Sequence, residues 1–179
     1  MKTLIQHGRV IDPASGFDAV ADVAIADGCI VAIGQAPSGF VPDAVFEARD
    51  QVVIPGLVDL CARLGEPGHE HERMLDSELA AAVAGGVTSL VCPPDTDPVL
   101  DEPGLVDMLR FRAERLQLSQ VYPLGALTRG LAGEVLTEMN ELTEAGCVGF
   151  GQAEQAVIKR LGEVLPSKGG ATLNGLTCR

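Results

Sequence analysis

Basic residues are scarce in this sequence. It has 13 Lys and Arg against 25 Asp and Glu among 179 residues, which gives a formal net charge of −12. Proteins that bind polyanions present clustered Lys and Arg that release counterions, and no such cluster occurs here. The composition therefore argues against nucleic acid as a partner, and it disfavours anionic membrane surfaces for the same reason.

Long hydrophobic runs are also missing. The apolar stretches at residues 51–60 and 87–92 are far shorter than the roughly 18 residues of a membrane span. The N-terminus lacks the hydrophobic segment of a signal peptide. We therefore expect a cytoplasmic protein with no membrane partner. The composition, 46% hydrophobic and 21% charged, is that of a globular protein that can bury a core.

The cysteines form no C-x-x-C pair. They are Cys29, Cys61, Cys92, Cys147 and Cys178. An odd number of widely spaced cysteines indicates reduced thiols rather than a disulfide framework. We expect most of them to be small core residues.

The residue pattern changes near residue 50. Residues 1–50 contain short apolar segments separated by turn signals such as Asp27-Gly28, and they predict a small β unit. Residues 51–154 alternate between strand-like and helix-like segments. The predicted strands are 87–92, 121–124 and 147–150, which follow the apolar run 51–60, and the predicted helices are 72–84, 103–116 and 134–144. Such alternation predicts parallel strands with crossover helices.

Residues 155–179 form an atypical tail. They contain four basic residues and one acidic residue, a charge of +3, whereas residues 1–154 carry −15. Two interpretations fit this reversal. One is a surface helix over residues 156–165 followed by a frayed terminus. The other is a chain that is truncated, or that leaves its reading frame, near Glu154.

Residues 1–154 contain five short motifs whose order and spacing match those of a known family. They are Val53-Ile54-Pro55-Gly56-Leu57-Val58-Asp59, Glu66-Pro67-Gly68, Ala84-Gly85-Gly86-Val87-Thr88, Cys92-Pro93-Pro94-Asp95-Thr96-Asp97-Pro98 and Leu142-Thr143-Glu144-Ala145-Gly146. Together they resemble the dihydroorotase family of cyclic amidohydrolases. The resemblance implies an α/β protein in which β-sandwich-type strands precede a (β/α)8 barrel. Only the first half of such a barrel fits into this length.

The resemblance also implies a divalent metal, usually zinc, held by a His-x-His pair at the end of the first barrel strand. Side chains at i and i+2 of a strand share a face, so two imidazoles converge on one ion. Here Cys61 and Arg63 occupy those positions, and the preceding Asp59 is retained. A guanidinium has no acceptor and cannot be deprotonated, so Arg63 cannot be a ligand. At about 4 Å from a dication it would cost on the order of 8 kcal/mol at an effective dielectric of about 20.

Other positions that matter in the resembled family are changed as well. Gly65 stands where the family has the arginine that binds the substrate carboxylate. Asp95 and Asp97 replace two asparagines, and their charges would repel an anionic dihydroorotate. Residues 152–154 stand where an Asp-Asp-Gly sequence contributes a metal-site carboxylate. We therefore predict no catalytic, substrate-binding or metal-binding residue at these degraded positions.

Three further sites have a simpler interpretation than catalysis. His69 and His71 form an H-x-H in a loop, but no third or fourth zinc ligand accompanies them, so we expect solvated side chains. Asp95 and Asp97 flank prolines, a pattern that favours turn-stabilising roles over a paired-carboxylate site. His7 is expected to cap or solvate a turn.

Three hypotheses about function remain open. The leading one is a catalytically inactive dihydroorotase-like subunit of pyrimidine biosynthesis that needs no cofactor and stabilises aspartate transcarbamoylase in a hetero-oligomer. The alternative is a metal-dependent cyclic amidohydrolase that opens dihydroorotate-like rings, with zinc held by Cys61, His69 or His71. The third is a fragment or frameshifted product without independent activity. Bound zinc would distinguish the second hypothesis from the first.

Overall fold

The computed structural model describes residues 1–157. The chain divides into two compact units, Met1–Pro55 and Gly56–Arg179, of which the second is described as far as residue 157. No helix within residues 1–157 is long and apolar enough to cross a membrane.

The first unit is a five-stranded mixed sheet. Its strands are β1 (Lys2–Asp12), β2 (Phe17–Ala26), β3 (Cys29–Gly34), β4 (Ala44–Glu47) and β5 (Val52–Val53). The strand order is β3-β2-β1-β4, and β5 also pairs with β1. The β2–β3 hairpin turns at Asp27 and Gly28, which both have positive φ (52° and 78°), as a tight two-residue hairpin turn requires.

The strand β1 contains a bulge at His7, where we expected a turn. The register with β2 shifts between Ile5 and Gly8, and His7 has a φ of 61°. Its Nδ1 lies 3.0 Å from a carboxylate oxygen of Glu47 on the neighbouring strand. A Cβ on Gly8 would lie 2.7 Å from a methyl group of Val53, so close packing of the backbone here requires glycine. The turn prediction was wrong because the chain continues as one strand through the bulge.

The second unit is the first half of a (β/α)8 barrel, as the sequence predicts. Its elements are β6 (Leu57–Asp59), α1 (Leu75–Ala84), β7 (Val87–Cys92), α2 (Pro103–Leu116), β8 (Gln120–Ala126), α3 (Met139–Glu144) and β9 (Gly149–Gly151). The four strands are parallel and neighbour one another in chain order, β6-β7-β8-β9. A short 3-10 turn at Arg129–Leu131 follows β8.

The core of the second unit lies between the helices and the helix-facing side of the sheet. Its most buried side chains include Leu79, Leu90, Leu100, Leu109 and Leu142, each no more than 3% exposed. They belong to one contiguous cluster, which fits strands covered by crossover helices.

Fewer cysteines are buried than the sequence led us to expect. Cys92 and Cys147 belong to the core, whereas Cys29 is exposed and Cys61 is partly exposed. Cys178 lies outside the described residues, as does nearly all of the helix predicted at residues 156–165.

Helix α3 begins five residues later than predicted. Residues 134–138 belong to the loop that follows β8, and hydrogen bonds to residues 126–129 hold them there. The N–H of Arg129 donates to Val135 O at 2.8 Å, and the Thr137 hydroxyl donates to Ala126 O at 2.7 Å. Leu136 forms an isolated bridge with Thr128. These hydrogen bonds to residues 126–129 keep the segment out of helix α3, although its sequence is compatible with a helix.

Candidate functional site

The altered residues follow the carboxyl ends of neighbouring strands. Cys61 and Arg63 follow β6, Asp95 follows β7, and Glu154 follows β9. Because the strands are parallel, these ends lie at one edge of the sheet. In (β/α)8 enzymes this edge carries the active site.

Arg63 contacts two carboxylates at this edge. Its Nε donates to Asp95 Oδ2 at 2.8 Å, and its Nη2 donates to Glu154 Oε1 at 3.4 Å. The hydrogen bond that Arg63 donates to Asp95, followed by the negative charge of Asp95, raises the pKa of Arg63 above its ordinary value. The guanidinium is therefore a permanent cation that contacts carboxylates from two other loops.

The contact with Arg63 corrects our prediction for Asp95. We expected Asp95 to stabilise a turn, but its side chain instead accepts the bond from Arg63, 32 residues away. The local turn is bonded by Thr96, whose hydroxyl donates to Pro98 O at 2.7 Å. Sequence spacing alone could not show this pairing, because it depends on the adjacency of the β6 and β7 ends.

A metal ion does not fit the side chains that meet here. The carboxylates of Asp95 and Glu154 both form ion pairs with the Arg63 cation. Asp59, the retained residue, accepts a hydrogen bond from the backbone N–H of Cys61 at 2.9 Å. Within residues 1–157 no group of three or more His, Cys, Asp or Glu has the geometry to hold a metal ion.

Gly65 has no room for a side chain. Its φ is +75°, and a Cβ would lie 2.7 Å from the carbonyl oxygen of Arg73. The loop is closed by a bond from the N–H of His69 to Gly65 O at 2.7 Å. An arginine at position 65 would therefore require the backbone of this loop to move.

The Glu66-Pro67-Gly68 motif packs the loop after β6 against the loop after β7. The N–H of Asp97 donates to Pro67 O at 3.1 Å. A Cβ on Gly68 would lie 2.1 Å from Asp97 O, at a φ of +106°. The Glu66-Pro67-Gly68 motif therefore has a packing role that does not depend on catalysis.

Glu66 is a buried carboxylate whose role the sequence analysis did not identify. Its Oε1 accepts the N–H of Leu75 at the start of α1, and its Oε2 accepts Arg112 of α2, both at 2.9 Å. Both oxygens are engaged, so Glu66 is a structural residue here. In the sequence, an acidic residue nine positions before a helix is only a weak indication of a contact with the helix start. The folded loop is what brings Glu66 to Leu75.

A cavity of about 300 Å³ adjoins Arg63 at this edge. His69 and Arg73 also line it. His71 is exposed and lies 3.7 Å from Glu72, and its ring centre is 6.2 Å from that of His69. The structure therefore places the H-x-H segment beside the cavity without bringing a third ligand to it within the described residues.

Comparison with known proteins agrees with this architecture. Residues 50–161 match the family model described as dihydro-orotase-like. A dihydroorotase-like protein of Pseudomonas aeruginosa is 46% identical over 165 residues, covering 89% of this chain and 39% of that protein. A dihydroorotase of Geobacter sp. strain M21 is 43% identical over 152 residues, covering 83% of this chain and 35% of that protein. The chain thus spans less than two fifths of the length of these relatives.

Solved structures show the same fold. An L-hydantoinase from Arthrobacter aurescens superposes with a TM-score of 0.67 at 24% identity, covering 83% of this chain and 32% of that one. A D-hydantoinase gives a TM-score of 0.67 at 20% identity, covering 88% of this chain and 34% of that one. The family model and the curated relatives establish that this chain belongs to the dihydroorotase-like family.

Proposed function

We propose that this chain is a catalytically inactive member of the dihydroorotase-like family, which acts in pyrimidine biosynthesis as a structural partner of aspartate transcarbamoylase. The observation that carries the loss of catalysis is the contact of Arg63 with Asp95 and Glu154. Hydrolysis in the resembled family depends on a metal ion, and a fixed cation at this edge opposes a second one.

The substrate positions support the same proposal. The arginine that would bind a substrate carboxylate is replaced by Gly65, where the backbone leaves no space for it. Asp95 is an acid at a position where the resembled family has an amide, and its charge is taken up by Arg63. An anionic ring substrate therefore finds less positive charge at this site than in the active family members.

The proposed partner follows from the resemblance to inactive dihydroorotase homologues that accompany aspartate transcarbamoylase. When a chain loses its catalytic groups but keeps its fold, selection can still act on its folding and on its association with a partner. Size-exclusion chromatography with light scattering tests this directly. At micromolar concentrations of both proteins, the transcarbamoylase from the same source should shift to a larger assembly. Unchanged masses would contradict the partnership.

Metal analysis and a ring-opening assay test the loss of catalysis. After dialysis we expect substoichiometric zinc and no hydrolysis of dihydroorotate above the rate without protein. About one zinc per chain together with measurable ring opening would instead establish the metal-dependent amidohydrolase. The two experiments are independent, so the partner and the loss of catalysis can fail separately.

A further inference from the structure

Arg63, Asp95 and Glu154 come from three loops that are distant in sequence. Arg63 is 32 residues from Asp95 and 91 residues from Glu154. The strands that precede these residues are β6, β7 and β9. The three side chains therefore connect loops that follow both outer strands of the described barrel sheet, β6 and β9.

The two ion pairs of Arg63 differ in exposure, since the side chain of Glu154 is 77% exposed. The side chain of Asp95 is 27% exposed, and that of Arg63 is 48% exposed, so the Arg63–Asp95 pair is partly shielded from water. The planar guanidinium can donate from different edges to two carboxylates at once, which a point charge on lysine does less well. Without Arg63, the carboxylates of Asp95 and Glu154 would lie together with no cation between them.

We propose that the Arg63 guanidinium is a built-in cation that holds the loops after β6, β7 and β9 together, where the resembled family uses a metal ion. One covalently attached cation thereby takes over the structural part of the metal's role. The proposal goes beyond the loss of catalysis, because it assigns Arg63 a task that can be measured whether or not the chain hydrolyses any ring.

Thermal unfolding of the full chain tests this role. Arg63→Met should lower the melting temperature by about 2–4 °C, the shift expected for loss of roughly 1 kcal/mol in a protein of this size. Arg129→Met is the matched control, because Arg129 donates Nη2 to an exposed glutamate at 3.4 Å, as Arg63 does to Glu154, whereas Arg63 also pairs at 2.8 Å with the less exposed Asp95. Loss of that pair should change the melting temperature by less than about 1 °C.

A double-mutant cycle distinguishes pairing from a general effect of the substitution. Asp95→Asn should destabilise the wild-type chain but be neutral or stabilising in the Arg63→Met background, where it removes an uncompensated carboxylate. If Arg63→Met does not fold, Arg63→Lys keeps the charge and replaces it in the cycle, with a smaller coupling expected. Additive effects of the two substitutions would overturn the proposal.

Zinc chloride provides a second test. The wild-type melting temperature should not rise with zinc, since the site already holds its cation. A zinc-induced rise that Cys61→Ser abolishes would show that a metal enters this site beside Arg63, and it would overturn the proposal.

Discussion

Glu66 and Arg112 form an ion pair between the loop after β6 and helix α2, with 2.9 Å between Oε2 and Nη1. The Glu66 side chain is only 10% exposed, and its other carboxylate oxygen accepts the first backbone N–H of α1. One carboxylate therefore links two helices that are separated by a strand in the sequence. It also satisfies a donor that every helix start leaves open.

Replacing Glu66 should destabilise the second unit. Glu66→Ala removes two hydrogen bonds from a buried carboxylate, and we expect a loss of about 2 kcal/mol in the free energy of unfolding. Urea denaturation measures it. Glu114→Ala is the control, because it removes an exposed i,i+4 pair with Arg110 at 3.4 Å and should cost less than about 0.5 kcal/mol. Equal losses in both variants would contradict the linking role of Glu66.

Gly65→Ala should be more destabilising than Gly86→Ala. Both glycines have a φ near +75° to +80°, but a Cβ meets Arg73 O at Gly65 and open space at Gly86. The backbone strain is common to both substitutions and costs about 1 kcal/mol. Crowding should add a further loss of about 1–2 kcal/mol at Gly65 alone. Equal stability of the two variants would show that the loop accepts a side chain at position 65.

Restoring the two histidines should not restore a metal enzyme. In Cys61→His with Arg63→His, two imidazoles replace the altered pair, but Gly65 still leaves no room for the substrate-binding arginine. The ring-opening assay should show no hydrolysis in this variant. Hydrolysis at a rate that depends on added zinc would mean that these two positions alone had disabled the site.

Stability should fall in alkaline solution because of the buried cysteines. Burial raises the pKa of Cys92 from 9.0 to about 12 and that of Cys147 to about 11. A raised folded-state pKa means that the stability is complete below the unfolded pKa of 9.0 and is lost as the pH rises toward these values. By pH 10 each thiol should reduce the free energy of unfolding by roughly 1 kcal/mol.

Urea titrations at pH 7.5 and pH 10 measure this dependence. Cys92→Ala should lower stability at both pH values, because it leaves a cavity, but it should reduce the difference between them. Cys29→Ala, at an exposed position, should leave the difference unchanged. A pH dependence unaltered by Cys92→Ala would contradict the assignment.

Hydrogen exchange should be faster in β9 than in β7. Strand β7 has neighbours on both sides, whereas β6 and β9 are the outer strands of the barrel sheet in the described residues. Outer strands present backbone groups without a second strand, and they are prone to further pairing. Strong protection across β9 in a monodisperse monomer would show that this edge is covered in solution.

Local sequence patterns determined the secondary structure wherever the chemistry was local. The segments Val87–Cys92 and Pro103–Leu116 form the predicted strand and helix with the same bounds, because β-branched residues and an N-terminal proline act within their own segments. The five motifs likewise indicated the family and the half barrel. Helix α3 was predicted too long, since Thr137 and Val135 are held by hydrogen bonds to Ala126 and Arg129 that a hydrophobic pattern does not reveal.

The altered site was visible in the sequence only as a set of missing groups. Cys61 and Arg63 in place of histidines showed which residues of the resembled family are missing, and Gly65 showed no more than an absent arginine. That Arg63 reaches Asp95 and Glu154 follows from the parallel sheet, which aligns the loops after separate strands. The crowding of Gly65 by Arg73 follows from the folded path of the single loop between β6 and α1. Residue types determined which side chains of the resembled family are missing, and the tertiary structure decided which contacts replace them, because ion pairs depend on distance in space rather than along the chain.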